Sequence, residues 1–173
     1  MWFVSKILFT TLIILIYTEY ASFKTHKLYL NYMTPEDFMR LAIAEAKKAD
    51  APYGAVIVKE GEVVAVGYNT VKRDHDPSAH AEINVIRSLT AKLQNHSLEG
   101  YSIYTTGEPC PMCATACVWA GVSEIIYGAS IQDLISVNQA QIEITCEEII
   151  AKSFREIKVK KGVLREECVE LFK

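Results

Sequence analysis

The chain lacks a surplus of positive charge. Its 18 Lys and Arg stand against 21 Asp and Glu, for a net charge of −3 over 173 residues. That balance gives no general attraction for a polyanion and argues against a nucleic-acid partner. Basic residues cluster only at Lys72-Arg73 and Lys158-Lys160-Lys161, and both read as solvated surface. A disulfide framework is lacking too. Five cysteines are present. With Cys110 and Cys113 set aside as a pair, Cys117, Cys146 and Cys168 remain, and an odd remainder does not make a framework. No internal repeat or low-complexity tract interrupts Thr34–Lys173. What is present is ordinary: half the residues are apolar and 23% are charged. That composition suits one globular domain with a proper core.

A long apolar run is also missing. The nearest approach is Ile7 to Tyr17, broken by Thr10 and Thr11 and preceded by Lys6. It is shorter than the roughly 18 apolar residues of a transmembrane helix. It resembles the core of a secretory signal, but Glu19 makes Thr18-Glu19-Tyr20-Ala21 a poor cleavage site. A domain start is plain at residue 33. There Thr34 can cap a helix, Pro35 can take its first position, and Glu36-Asp37 suit its positive end. Residues 1–32 are therefore expected to be an apolar extension outside a domain of residues 33–173. An upstream stretch that the fold does not need is favoured. Export and a membrane anchor through residues 7–17 remain open alternatives.

Periodicity predicts helix, strand, strand, helix, strand, helix, strand, then a less regular tail. The first helix is expected over Pro35–Ala49, burying Phe38, Leu41, Ala42, Glu45 and Ala49. Valine-rich strands Gly54–Lys59 and Glu62–Tyr68 flank Glu60-Gly61, which suits a tight hairpin. A polar loop spans Asn69–Ser78, and a helix follows to Leu93. Strand Tyr101–Thr105, helix Pro111–Gly121 and strand Glu124–Ala129 make a βαβ unit whose strands should be parallel. Helices are expected over Cys146–Phe154 and Val163–Phe172, with an edge strand over Glu156–Lys160. The resulting fold class is α/β: a mixed central sheet with helices on its faces.

The chemistry lies in His80-Ala81-Glu82 and Pro109-Cys110-Pro111-Met112-Cys113. One imidazole and two thiolates can hold a zinc ion in three corners of a tetrahedron and leave one for water. Two thiolates nearly cancel the metal's charge, so its water needs help to lose a proton. Glu82 is the expected proton carrier. It heads the apolar stripe Val85, Ile86, Leu89 and Leu93, where desolvation should raise its pKa. The bland alternative is that Glu82 only caps its helix. Pro111 suits a first helical position, which puts both cysteines at a helix N-terminus, where thiolate is favoured. Cys117, one turn on, is either a small core residue or a fourth ligand of a closed structural site. His26, His75 and His96 have no partners at ligand spacing and read as surface or loop residues. Thiolates kept reduced favour the cytoplasm.

These segments, with Pro52-Tyr53-Gly54-Ala55-Val56-Ile57-Val58 and Asp76-Pro77-Ser78-Ala79 ahead of His80, resemble the cytidine and nucleobase deaminases. That family carries a His-x-Glu and Pro-Cys-x-x-Cys signature. Within it the chain looks most like bacterial guanine deaminases and is also similar to tRNA adenosine deaminases. The resemblance implies a three-layer α/β/α sandwich, Zn2+, a homodimer and hydrolytic loss of ammonia from a ring amine. Glu82 would deliver protons to the ring nitrogen and then to the leaving amine. It also implies base contacts from Asn69, the backbone N–H of Ala81, an aromatic ring at Tyr53 and a further aromatic at Trp119. The family's guanine enzymes read the purine amine edge with an acid after the last clear strand. Here Asp133 is the only acid in residues 131–141 and does not obviously align, though Glu143, Glu147 and Glu148 follow. A free nucleobase or nucleoside is the expected substrate, with guanine favoured. Adenosine in tRNA is the alternative, and a noncatalytic zinc-stabilised module is a further one.

Overall fold

The computed structural model describes residues 33–173, which form one compact unit. The expectations for residues 1–32 and for His26 lie outside the described residues. Among the described residues no helix is long and apolar enough to cross a membrane.

A five-stranded sheet runs in the order β2-β1-β3-β4-β5. Its strands are β1 (Gly54–Lys59), β2 (Glu62–Tyr68), β3 (Tyr101–Gly107), β4 (Glu124–Ala129) and β5 (Lys158–Lys160). β1 pairs antiparallel with β2 and β3, whereas β3–β4 and β4–β5 are parallel. The sheet is mixed, as expected. Glu60 (φ 52°) and Gly61 (φ 81°) both turn left-handed between β1 and β2. That is the backbone a two-residue hairpin requires, and glycine takes it without cost.

The helices are α1 (Pro35–Ala46), α2 (Val71–Asp74), α3 (Ala81–Leu93), α4 (Pro111–Ala120), α5 (Ile131–Ser136), α6 (Cys146–Ala151) and α7 (Arg165–Glu170). Alternate residues of the central strands serve two cores. Ala55, Ile57, Ile103, Ile125 and Tyr127 pack with α3, α4 and Cys146 of α6. Val56, Val58, Tyr104 and Ile126 pack with α1, Leu134 of α5, and Cys168 and Phe172 at the tail. Period-two alternation with both faces covered makes the three layers. It also explains why β1 reads as an unbroken apolar run.

α1 is shorter than its pattern suggested, and its buried stripe is rotated. Phe38, Ala42 and Glu45 are buried as expected, but Met39, Ile43 and Ala46 complete the face and Leu41 is exposed. A Cβ on Gly54 would stand 2.0 Å from the carbonyl oxygen of Ala42. The α1 backbone rests on the start of β1, so the residues beside that contact are the ones covered. β3 runs two residues beyond Thr105, and the loop after Asn69 holds the single turn α2. α5 is an element that the periodicity did not predict. Six residues are too few for a helical period to stand out, but Ser130 and Asp133 close a full capping box at its start.

Candidate zinc and substrate site

The metal-ligating residues are set by two helix starts. His80 is the N-cap of α3 and Cys110 the N-cap of α4, both with extended backbone. Pro111 occupies the first turn of α4. The two helices lie on the same face of the sheet, and their N-termini converge. His80 Nδ1 lies 3.8 Å from Cys110 Sγ and 3.6 Å from Cys113 Sγ. All three ligand atoms lie within 4.8 Å of one another. Ordinary Zn–S and Zn–N bonds at a tetrahedral angle put nitrogen about 3.6 Å from sulfur, so the donor set fits zinc in chemistry and spacing. Cys117 is outside the cluster. It is fully buried in the core beneath α4, where burial pushes its thiol pKa up.

The charge distribution favours a cation. The Cys110 thiol is drawn down to about 4, first by its hydrogen bond with Cys113 and then by His80. Cys113 is pushed up by the same bond and by burial. His80 is raised, chiefly by its bond to Cys110. A proton shared among these sulfurs is what a divalent ion replaces.

Glu82, at the second position of α3, is 3% exposed. Burial raises its pKa above the usual carboxylate range. Thr105 Oγ1 lies 3.3 Å from Glu82 Oε1 and 3.0 Å from the carbonyl oxygen of Gly107. Glu82, His80 and Cys110 line one cavity of about 530 Å³, within the range of small-molecule sites.

The cavity has two walls. Asp50, Ala51, Tyr53, Asn69, Val71 and Lys72 form one, and Gln139, Ala140, Gln141 and Ile142 form the other. Asn69 is buried, and its Oδ1 accepts from Val71 N–H at 3.2 Å. Tyr53 closes one end: its hydroxyl accepts from Gln141 Nε2 at 2.9 Å and its ring packs 4.8 Å from Phe172. Burial raises the Tyr53 pKa, so the hydroxyl stays protonated at neutral pH. Ala81 opens α3 with its side chain in the core. Its amide is one of the helix-start N–H groups that need an outside partner.

Trp119 is not among the residues that line this cavity. It is 68% exposed and packs on Phe154 with ring centroids 5.2 Å apart. Six helical residues rotate a side chain about 240° from Cys113, which turns Trp119 outward. Asp133 is also elsewhere: it caps α5 and binds Arg165. Glu148 caps α6, Glu147 pairs with Lys161 and Glu143 is exposed, so none of these acids lines the cavity. The lining residues that the sequence pattern did not single out are Asp50, Ala51, Val71, Lys72, Glu108 and Gln139–Ile142. They lie on irregular chain or a single helical turn, where no periodicity marks them.

A family model described as the cytidine and deoxycytidylate deaminase zinc-binding region matches residues 33–129. The chain is 41% identical over 101 residues to a tRNA-specific adenosine deaminase of Aquifex aeolicus, covering 56% of this chain and 67% of that one. It is 39% identical over 106 residues to a guanine deaminase of Bacillus subtilis, covering 58% and 68%. One similar structure comes from a study of A-to-I editing by tRNA:A34 deaminases. The TM-score is 0.68 at 33% identity, and the match covers 78% of this chain and 97% of that one. Of eight curated relatives, seven are named as tRNA adenosine or adenine(34) deaminases. This overturns the expectation that nucleic acid is an unlikely partner: an interaction with tRNA is plausible. Net charge averages over a whole surface, whereas RNA is bound through a local one.

Proposed function

Because this chain belongs to the cytidine and deoxycytidylate deaminase zinc-binding family, we propose that its cavity removes the 6-amine of an adenosine presented by tRNA. At the coarser level it is a zinc-dependent hydrolytic deaminase of a nucleobase- or nucleoside-type substrate. The make-up of the wall at Gln139–Ile142 carries the finer reading. Guanine offers two adjacent donors, its ring N–H and 2-amine, which a carboxylate would pair. This wall holds two carboxamides and no acid, and of the other acids that line the cavity beside Glu82, Asp50 is bound to Arg73 and Glu108 to two backbone amides. Adenine has no such donor pair. The mouth carries exposed Lys72 and Ile142, a cation for a flanking phosphate and an apolar contact for a neighbouring base. Relatives named for tRNA substrates support the same reading.

His80, Cys110 and Cys113 would hold zinc, which supplies the Lewis acidity that makes water nucleophilic near neutral pH. Glu82 accepts the proton that water gives up. It places that proton on ring N1, which leaves C6 open to attack. A C–O bond forms at C6, the new hydroxyl passes its proton through Glu82 to the amine, and the C–N bond breaks to leave a C6 carbonyl and ammonia. The raised pKa of Glu82 suits a group that must both take and return a proton. Asn69 and Tyr53 orient the base. A second reading, guanine, is favoured by the 39% identity to the Bacillus subtilis guanine deaminase.

Ammonia release on tRNA, adenosine, guanine and cytosine tests the proposal. Turnover is expected on tRNA, through conversion of adenosine to inosine. Turnover on guanine with none on tRNA would replace the first reading by the second.

A further inference from the structure

Glu108 is buried, 4% exposed, and stands two residues before Cys110. Its two carboxylate oxygens serve two different helices. Oε2 accepts the N–H of Ile131, the first residue of α5, at 3.0 Å. Oε1 accepts the N–H of Cys146, the first residue of α6, at 3.0 Å. Both are helix-start donors without a partner in their own helix. The backbone of Glu108 is fixed in turn, since its N–H donates to Ala129 at 2.7 Å.

Between those anchors lie residues 137–145, which have no helix or strand. This stretch carries Gln139–Ile142, one whole wall of the cavity. Its other holds on the rest of the fold are weaker. Gln141 donates to the Tyr53 hydroxyl, and Gln139 Nε2 lies 3.5 Å from the carbonyl oxygen of Phe172. A charged acceptor buried between two amides is the stronger tie.

We infer that Glu108 is the positioning residue of the substrate-specificity wall, holding residues 137–145 at a set distance from the metal loop. Its carboxylate joins the start of the helix before the wall and the start of the helix after it to the strand end that leads into the cysteine ligands. It lines the cavity, but both its oxygens are taken up by backbone N–H groups. Its effect is on how tightly the base is gripped, and the sense of that effect on turnover rests on the proposed deaminase reading.

Glu108→Gln keeps the shape but can accept at only one position, and its NH2 then faces an amide. A buried hydrogen bond to a charged group is lost, which predicts KM raised roughly tenfold or more with kcat held within about threefold. Zinc content should match the parent. Hydrogen exchange of peptides covering 137–145 should quicken, and that of 111–120 should not. Cys146→Pro against Cys146→Ala is the second arm. Proline at this first helical position removes the N–H, and Thr145 before it is already extended (ψ 154°). The alanine variant controls for the lost thiol. The proline variant should show the same rise in KM and exchange, and the alanine variant should not. Unchanged exchange in 137–145 for both Glu108→Gln and Cys146→Pro would overturn the inference. So would loss of zinc, or a fall in kcat with KM unmoved. If the parent protein turned over no substrate, the functional reading would fail, and the exchange comparison would still decide the role of Glu108.

Discussion

The two walls of the cavity are built by different means. On the metal side every functional group sits at a helix start or strand end: His80 and Cys110 as N-caps, Glu82 one step into α3, Asn69 just past β2. The position of each follows from regular structure. On the facing side, residues 137–145 form no element and are held from distant parts of the chain: by Glu108 at the helix starts that flank them, by the Tyr53 hydroxyl and by the backbone carbonyl of Phe172. The first wall therefore supplies the reaction and varies little with context. The second decides which base fits, and small changes in its supports should alter binding before they alter chemistry.

The largest effects belong to the metal side. Cys113→Ala removes a buried ligand and should abolish both zinc retention and turnover. Metal content by atomic emission and the ammonia assay check this. Zinc retained with appreciable activity would mean that the sulfur is not a ligand. Glu82→Gln should keep zinc and lose about 10²–10⁴-fold in kcat, the range of a positioned proton carrier. Near-parental kcat would remove Glu82 from the proton path and return it to a capping role.

The same contrast accounts for what the sequence made legible. The sheet, α3, α4 and the triad His80, Cys110, Cys113 could be read because apolar period and motif spacing are local properties. The shift in α1 could not. Whether Leu41 or Met39 faces inward depends on where the α1 backbone meets Gly54, a tertiary contact. Trp119 illustrates a limit of carrying a role over by resemblance, since helix rotation puts it on the far side from Cys113. Glu108 stands just ahead of the cysteine motif and is not singled out by it. Its partners lie 23 and 38 residues away, and no local pattern encodes that separation.

Where Tyr53 tethers the facing wall the effects should be smaller and of another kind. Tyr53→Phe keeps the ring contact with Phe172 and removes only the hydroxyl that accepts from Gln141. One neutral hydrogen bond is about 1 kcal/mol, or roughly a fivefold rise in KM, with kcat nearly unchanged. A fall in kcat alone would place the hydroxyl in the chemistry rather than in the wall.

The smallest expected effect tests the outer brace of that wall. Asp133 caps α5 and binds Arg165, which ties α5 to α7. Its carboxyl pKa is lowered, first by the hydrogen bond from Arg165, against an opposing effect of burial, and then by the capping bonds of Ser130. A folded pKa below the unfolded one adds stability above the unfolded value, and this is lost as pH falls through the folded value. The Arg165 side chain is 56% exposed, so solvent screens the pair. Asp133→Asn should lower Tm at neutral pH by about 1–4 °C. The gap should close on acidification through and below the ordinary aspartate range, as the parent carboxyl takes up its proton. A gap that stays constant with pH would show that capping geometry, which asparagine can share, rather than charge holds α5 in place.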